Sequence, residues 1–190
     1  MVDGYRIVLP PGWVRIPLRV GTEEAMEEFV YSRTGASAPQ GASQGEQMRH
    51  GAEVRRVLEE QIAVARGANG LDLYLPLSPR QRPVAASFLV SEVPPPGDRD
   101  RAHPEPGSTR REYVRPADAR REVAVATRHV DYTLSVPGDP GRMLAVSFST
   151  PGDGDPDSAF TDLLVELFDA LMTTFRWTAG ASASIGAGAG

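Results

Sequence analysis

The stretch HVDYTLSVPGDPGRMLAVSFST, residues 129–150, decides the fold. Proline and glycine in its centre, PGDPGR, interrupt two runs that are rich in β-branched, aromatic and other apolar residues. Such runs around a cluster of turn residues predict two strands, over residues 121–136 and over MLAVSFST at 143–150. The apolar phase slips between Val125 and Val130, which predicts a bulge in the first strand.

The segment that follows this stretch predicts a helix buried along one broad stripe. Its apolar residues recur at steps of three and four, the spacing of one helix face: Phe160, Leu163, Leu164, Leu167, Phe168, Leu171, Met172 and Phe175. Either Asp157 or Ser158 is expected to cap it. Trp177 is expected in the core, and residues 179–190, rich in Gly, Ala and Ser, are expected to be a disordered tail.

Upstream of the opening stretch, the period of two also predicts strands. LDLYLPL places Leu71, Leu73, Leu75 and Leu77 on one face, and VAASFLVSEV is the expected hairpin partner across SPRQRP. Residues 94–118 are rich in proline and in charges of both signs. They are expected to form a long flexible loop. The alternative is a segment that docks to a partner and becomes ordered on binding.

The N-terminal residues 5–18, YRIVLPPGWVRIPL, predict a β-hairpin. Tyr5 and Ile7 share one face before Pro11-Gly12, and Val14 and Ile16 share one face after it. Pro-Gly is a suitable centre for a type II turn. The alternation is too regular and the flanks too polar for a targeting peptide.

Two helices are expected between this hairpin and the later strands. Thr22 is expected to cap the first, with acidic residues in its first turn. A flexible loop is expected near residues 34–46, and a second helix over residues 47–66, with Gly67 as its stop. The order of elements predicts one α+β domain over residues 1–178, with helices laid on a mainly antiparallel sheet.

Composition excludes several classes of chemistry. The 190 residues carry a net charge of -5, which disfavours nucleic acid as a partner. There is no cysteine, and all 20 basic residues are arginine, so thiol catalysis, cysteine metal sites, Schiff bases and a P-loop lysine are excluded. No apolar run approaches a membrane span and no secretory leader is evident, so a cytoplasmic protein is expected.

Two short motifs have a catalytic or metal-binding alternative. GASQG, around Ser43, matches the G-x-S-x-G nucleophile elbow, but it follows loop residues where that motif needs a strand. DGDPD, with Asp153, Asp155 and Asp157, opens like a calcium loop, but the glycine and the glutamate that complete such a loop are missing. The better interpretation of DGDPD is a polar turn that caps the last helix.

The histidines do not form a recognisable site. His50, His103 and His129 are not at metal-ligand spacing. His129 precedes Asp131 by two residues on a predicted strand, which is compatible with an acid/base pair and equally with a surface pair. We therefore assign no catalytic, cofactor-binding or metal-binding residue, and expect no cofactor.

The order of elements resembles that of the PsbP-like superfamily, the fold shared by the Ran-binding nuclear import factor, the extrinsic photosystem subunit and actinobacterial lipoproteins. The resemblance rests on LPPGW near the N-terminus, the acidic helix after it, HVDYTLSVPGDPGRMLAVSFSTP, and LFDALMTTFRW at the end of the last helix. It implies a three-layer α/β/α sandwich around an antiparallel sheet. It implies binding or assembly factors without a shared active site, and here a cytoplasmic bacterial member, because no lipobox cysteine is present.

These observations favour a non-enzymatic protein-interaction or assembly factor, and an adaptor for a bacterial secretion or envelope system is the form of it that we expect. The alternative is a small-molecule-binding protein or a hydrolase with a cleft between sheet and helix, for which Ser43 and His129 are the residues to test. A third hypothesis is that the chain is a purely structural subunit of a larger assembly.

Overall fold

The computed structural model describes residues 2–37, 43–77, 84–94, 108–117 and 125–179. Along these residues the chain forms β1 (Val2–Arg6), β2 (Trp13–Pro17), α1 (Thr22–Ser37), α2 (Gln44–Gly67), β3 (Gly70–Pro76), β4 (Ser87–Val93), β5 (Ser108–Arg115), β6 (Thr127–Val136), β7 (Asp139–Thr150), α3 (Ala159–Met172) and β8 (Arg176–Ala179).

The strands form two antiparallel sheets. Six of them lie in the order β2-β3-β4-β7-β6-β5, and β1 pairs with β8 in a separate two-stranded sheet. Residues 129–150, HVDYTLSVPGDPGRMLAVSFST, form the β6-β7 pair near the middle of the larger sheet. This confirms an α+β fold with a mainly antiparallel sheet, and it confirms the predicted pairing of β3 with β4.

The predicted N-terminal hairpin is wrong, although both strands and the turn between them exist. Trp13 donates a backbone hydrogen bond to Pro10 at 3.3 Å, and Gly12 has a φ of +82°, as a type II turn requires. The two strands then diverge, because their apolar faces belong to different cores. Tyr5 packs in the core below α3, whereas Ile16 packs in the core below α1 and α2.

Parts of both predicted loops belong to regular secondary structure. Residues 34–37 are the last turn of α1, and residues 44–46 already belong to α2; the rest of the 34–46 prediction falls on residues 38–42, outside the described part. Within 94–118, residues 108–115 form β5 and pair with β6 along their whole length. Backbone pairing compensates for the lack of apolar side chains there, so composition alone was misleading.

The predicted bulge also lies elsewhere. The β6 register is continuous up to Ser135 and shifts between Ser135 and Val136, next to the turn into β7. Val125 precedes the strand, so its place in the apolar pattern gives no information about the register of β6. Ala179, placed in the tail, is the last residue of β8. The predictions for residues 78–83, 95–107, 118, 121–124 and 180–190 lie outside the described residues.

The larger sheet separates two hydrophobic cores, which makes three layers. One core lies between the sheet and α3 with the β1-β8 pair, and its centre is the stacked pair Phe148 and Phe168, with ring centroids 4.8 Å apart. The other core lies under α1 and α2. Neighbouring residues of β3 serve both cores, because Tyr74 faces the first and Leu73 the second.

The terminal helix begins where the sequence predicted and buries a slightly rotated stripe. Ser158, rather than Asp157, is its N-cap and accepts a hydrogen bond from the backbone N–H of Thr161 at 3.1 Å. Phe160 and Leu163 are exposed. The buried residues of this helix are Thr161, Leu164, Val165, Phe168, Leu171 and Met172.

Candidate functional site

The helices α1 and α2 cover only half of their side of the sheet. Their main contacts with the sheet are those of α1 with β2 and of α2 with β3. The uncovered half carries mainly polar side chains, and we call it the open face. Its residues are Ser147 and Ser149 of β7, His129, Asp131 and Thr133 of β6, and Thr109, Arg111, Tyr113 and Arg115 of β5.

Strand register arranges these side chains in rows across the sheet. One row runs through Ser87, Ser149, His129 and Tyr113, each directly paired with the next. The adjacent row continues from Ser147 through Asp131 to Arg111. Directly paired residues on one face have Cβ atoms about 4.5–5.5 Å apart, so both rows are continuous contact surfaces.

A column of stacked side chains stands on the open face. The rings of Tyr113 and His129 are parallel within 7°, with centroids 5.1 Å apart, and the guanidinium of Arg111 lies 5.3 Å from the Tyr113 ring centroid. Burial raises the pKa of Tyr113, and the carboxylate of Asp131 raises it further by charge and hydrogen bonding. The phenol therefore stays protonated at neutral pH and remains a hydrogen-bond donor to Asp131.

His129 is a neutral ring in this setting. Its Nε2 lies 2.8 Å from the hydroxyl of Thr127, and the two share a hydrogen bond. Burial lowers the pKa of His129 and the positive charge of Arg115 lowers it further, while Asp131 acts in the opposite direction. At neutral pH the imidazole thus adds aromatic surface to the open face without adding charge.

A groove runs between α2 and the open face, and we call it the open-face groove. It encloses about 720 Å³, and the side chains of the two rows, apart from Arg111, form its floor. Its helical wall is formed by Val57, Glu60, Gln61 and Val64. Val64 is 75% exposed and adds apolar surface to this wall.

A second cavity continues from one end of this groove and lies between α1, α2 and the sheet; we call it the α1-α2 cavity. It encloses about 530 Å³ and shares four residues with the open-face groove: Val57, Gln61, Ser87 and Ser149. Its wall is mainly apolar, with Phe29, Val54, Leu58, Leu75, Val84 and Ala86. Arg33, His50 and Glu53 add charge and polarity.

Ser43 of the G-x-S-x-G motif begins α2 as its N-cap. Its hydroxyl accepts a hydrogen bond from the backbone N–H of Glu46 at 3.3 Å, and its own N–H donates to the Glu46 carboxylate at 2.8 Å. These reciprocal bonds form a capping box. The Ser43 hydroxyl also donates to the Glu46 carboxylate at 2.7 Å, and this bond, together with that from the Ser43 N–H, lowers the pKa of Glu46. A serine followed three residues later by glutamate carries this signal in the sequence.

The DGDPD segment closes the start of α3. Ser158 donates to the Asp153 carboxylate at 2.7 Å, and the hydroxyl of Thr161 donates to the backbone carbonyl of Asp155 at 2.8 Å. Asp157 lies 3.1 Å from Arg128. These contacts agree with a polar turn that caps the helix. Among the described residues, no group of three or more His, Cys, Asp or Glu side chains is placed to hold a metal ion.

The two histidines that the structure describes lie apart in the fold. His129 is on the open face, His50 is on α2 at the α1-α2 cavity, and His103 lies outside the described residues. Of the arginines in the predicted loop, Arg110 turns to the other side of the sheet and forms two hydrogen bonds with Asp169 of α3, at 2.9 and 2.8 Å. Arg111 remains on the open face.

A buried carboxylate on the opposite side of the sheet was not anticipated. Asp72 of β3 is 2% exposed and accepts hydrogen bonds from the hydroxyl of Tyr5 and, at 2.7 Å, from Nε of Arg15. Burial raises the pKa of Tyr74 to about 12, with a contribution from Asp72, and burial also raises the pKa of Tyr5. Both phenols therefore keep their protons, and the network joins β1 to the larger sheet.

Comparison with known proteins leaves the geometry as the basis for a functional assignment. No family model, no curated protein and no solved structure matches the chain. Among the described residues, none of the helices has the length and apolar character needed to cross a membrane.

Proposed function

We propose that this protein is a non-enzymatic protein-interaction factor that binds a segment of a partner protein along the open face and its groove. The observation that carries this proposal is the stacked column of Arg111, Tyr113 and His129 on a half-sheet that the helices leave uncovered. Tyrosine and arginine are the residue types that most often dominate the binding energy of protein interfaces.

The groove has the mixed character of a protein-binding surface. Its α2 wall offers the apolar side chains of Val57 and Val64, while its floor offers hydroxyl groups that can pair with a peptide backbone. Basic Arg115 and acidic Glu60 line the same groove. Apolar anchors with a polar rim are typical of such interfaces.

The surroundings of the candidate catalytic residues support a binding role over hydrolysis. Ser43 is engaged in a helix cap, and Nε2 of His129 is engaged with Thr127. His129 also stacks face to face on Tyr113, so the ring is fixed by packing. A general base must reach the proton of its nucleophile with a free ring nitrogen, whereas Nε2 of His129 is already bonded to the hydroxyl of Thr127.

The resemblance to the PsbP-like superfamily agrees with this role and extends the proposal. Its members are mostly binding and assembly factors, and the three layers described above follow the order that the resemblance implies. We propose further that this chain is a cytoplasmic bacterial member of that superfamily and serves as an adaptor for a secretion or envelope system.

Site-specific photo-crosslinking tests the proposal. A photoreactive amino acid is introduced at Val64, which is 75% exposed on the groove wall, and in a matched control at Leu163, which is 58% exposed on α3. Irradiation in an extract of the source cells should capture a protein from Val64 that is not captured from Leu163. That protein is then purified and titrated into the wild type.

Two tyrosine variants make the test quantitative. Tyr113→Ala should weaken binding of the purified partner by about tenfold or more, the loss expected of an interface hot spot. Tyr31→Ala, on the exposed side of α1, should leave the affinity unchanged. Equal capture from both positions, or an unchanged affinity of Tyr113→Ala, would contradict the proposal. Turnover of an ester or peptide substrate that is lost in His129→Ala would contradict it as well.

A further inference from the structure

We infer that the α1-α2 cavity is a binding site for a small carboxylate with an apolar body, in addition to the proposed protein-binding surface. Its volume of about 530 Å³ lies within the usual range for small-molecule sites. Most of its wall is aliphatic or aromatic, and a few charged groups lie at one side. This combination selects ligands that carry an apolar body and a single polar head.

Arg33 identifies the charge of that head. The Nε atom of Arg33 is buried and has no hydrogen-bond partner, the single such atom found among the side chains that the structure describes. Its guanidinium lies 5.9 Å from the ring centroid of Phe29, another wall residue. A buried donor without an acceptor is unfavourable, and a ligand acceptor in the cavity would satisfy it.

The nearest acidic wall residue does not meet this need. Glu53 is bound by Arg56, with N–O distances of 3.1 and 2.7 Å, and Arg56 lowers the pKa of Glu53. Within the described residues no ion pair of Arg33 is formed. The cavity therefore presents one uncompensated positive charge beside apolar surface.

A carboxylate matches this environment better than other anions. Its planar pair of oxygens fits the fork of a guanidinium, and it carries a single negative charge. A doubly charged phosphate would lose more hydration on entering a cavity with one cation and mainly apolar walls. The apolar body would lie against Phe29, Val54 and Leu58.

Titration of the purified full-length protein with octanoate tests this site, with 1-octanol as the probe that lacks the charge. Octanoate should shift the amide NMR signals of residues around the cavity, Phe29 and Val54 among them, and should bind more tightly than 1-octanol. Arg33→Met keeps the aliphatic stem and removes the charge. It should raise the Kd for octanoate by about tenfold or more, the usual loss for a hydrogen bond between charged groups.

Two further variants keep the test decisive. Arg49→Met removes the same charge from an exposed position of α2 that does not line the cavity, and it should bind octanoate like the wild type. Ala85→Trp places a large ring at the exposed rim of the cavity and should weaken octanoate without unfolding the protein. Equal affinity of Arg33→Met and wild type, equal affinity for 1-octanol and octanoate, or an absence of shifts around the cavity would overturn the inference.

Discussion

Replacing Asp72 by Asn perturbs the contact between the two-stranded sheet and the larger one. The carboxylate is 2% exposed, and it holds the hydroxyl of Tyr5 from β1 and Nε of Arg15 from β2. Asparagine has nearly the same shape but keeps one acceptor oxygen and adds a donor. One of the two donors then faces another donor in a buried site.

The expected loss follows from how each bond is exposed to water. A hydrogen bond to a charged group contributes about 1.5–3 kcal/mol when it is protected from solvent. Arg15 has a side chain that is 59% exposed, so water can replace most of what it loses. The bond from Tyr5 is the protected one. We therefore expect Asp72→Asn to lower the free energy of unfolding by about 2–3 kcal/mol.

Urea denaturation followed by circular dichroism and tryptophan fluorescence measures this loss. Tyr5→Phe is the partner variant and should cost about 1–2 kcal/mol, because it removes the hydroxyl and leaves the carboxylate with Arg15. In the double variant the two losses should not add, since they report one shared bond. A loss below about 0.5 kcal/mol for Asp72→Asn, or simple additivity, would refute the reasoning.

Three further predictions concern other parts of the fold. Gly152→Ala should be strongly destabilising in thermal unfolding, because a Cβ there would lie 1.9 Å from Oγ1 of Thr161. Gly138 also has a positive φ, but a Cβ there would meet no atom within 4 Å, so Gly138→Ala should show only the smaller cost of backbone strain. Equal losses of stability in the two variants would contradict this. NMR titration should give His129 a pKa below 6.5, the ordinary value for histidine. Between the two pKa values the unfolded state binds more protons than the folded state, so the free energy of unfolding should fall as the pH drops from about 6.5 through the folded pKa. This fall should be smaller in His129→Gln. An unshifted pKa would exclude this contribution. Ser43→Ala should cost about 1 kcal/mol through loss of the helix cap and leave partner binding unchanged; a stability equal to the wild type would show that the cap is unimportant.

Element types were predictable wherever the apolar pattern is long and regular. The stripe along α3 is read directly from spacing. In β3 the alternation correctly places Leu73, Leu75 and Leu77 in one core, but the strand is buried on both faces, and Leu71 packs in the other core with Tyr74. The choice of strand partner is a different matter. The apolar pattern around Tyr5 is as regular as that around Ile16, yet the two residues pack in separate cores. β1 pairs with β8, which lies at the other end of the described chain. Such long-range pairing leaves no local signal.

The candidate site was only partly accessible from the sequence. The alternation of His129, Asp131 and Thr133 with apolar neighbours on β6 indicates a sheet face that is not buried in a core. That signal could have identified the open face. The column of Arg111 and Tyr113 could not be found this way, because their segment has the composition of a loop and becomes a strand only by pairing with β6.

The most direct test of the proposed binding surface is hydrogen exchange of the protein with and without the partner captured from Val64. The account predicts slower amide exchange in β5 and β6 and in the second half of α2, where the groove lies, and unchanged exchange in α3 on the opposite side of the sheet. Protection confined to α3 or to the β1-β8 pair, with β5 and α2 unaffected, would contradict it.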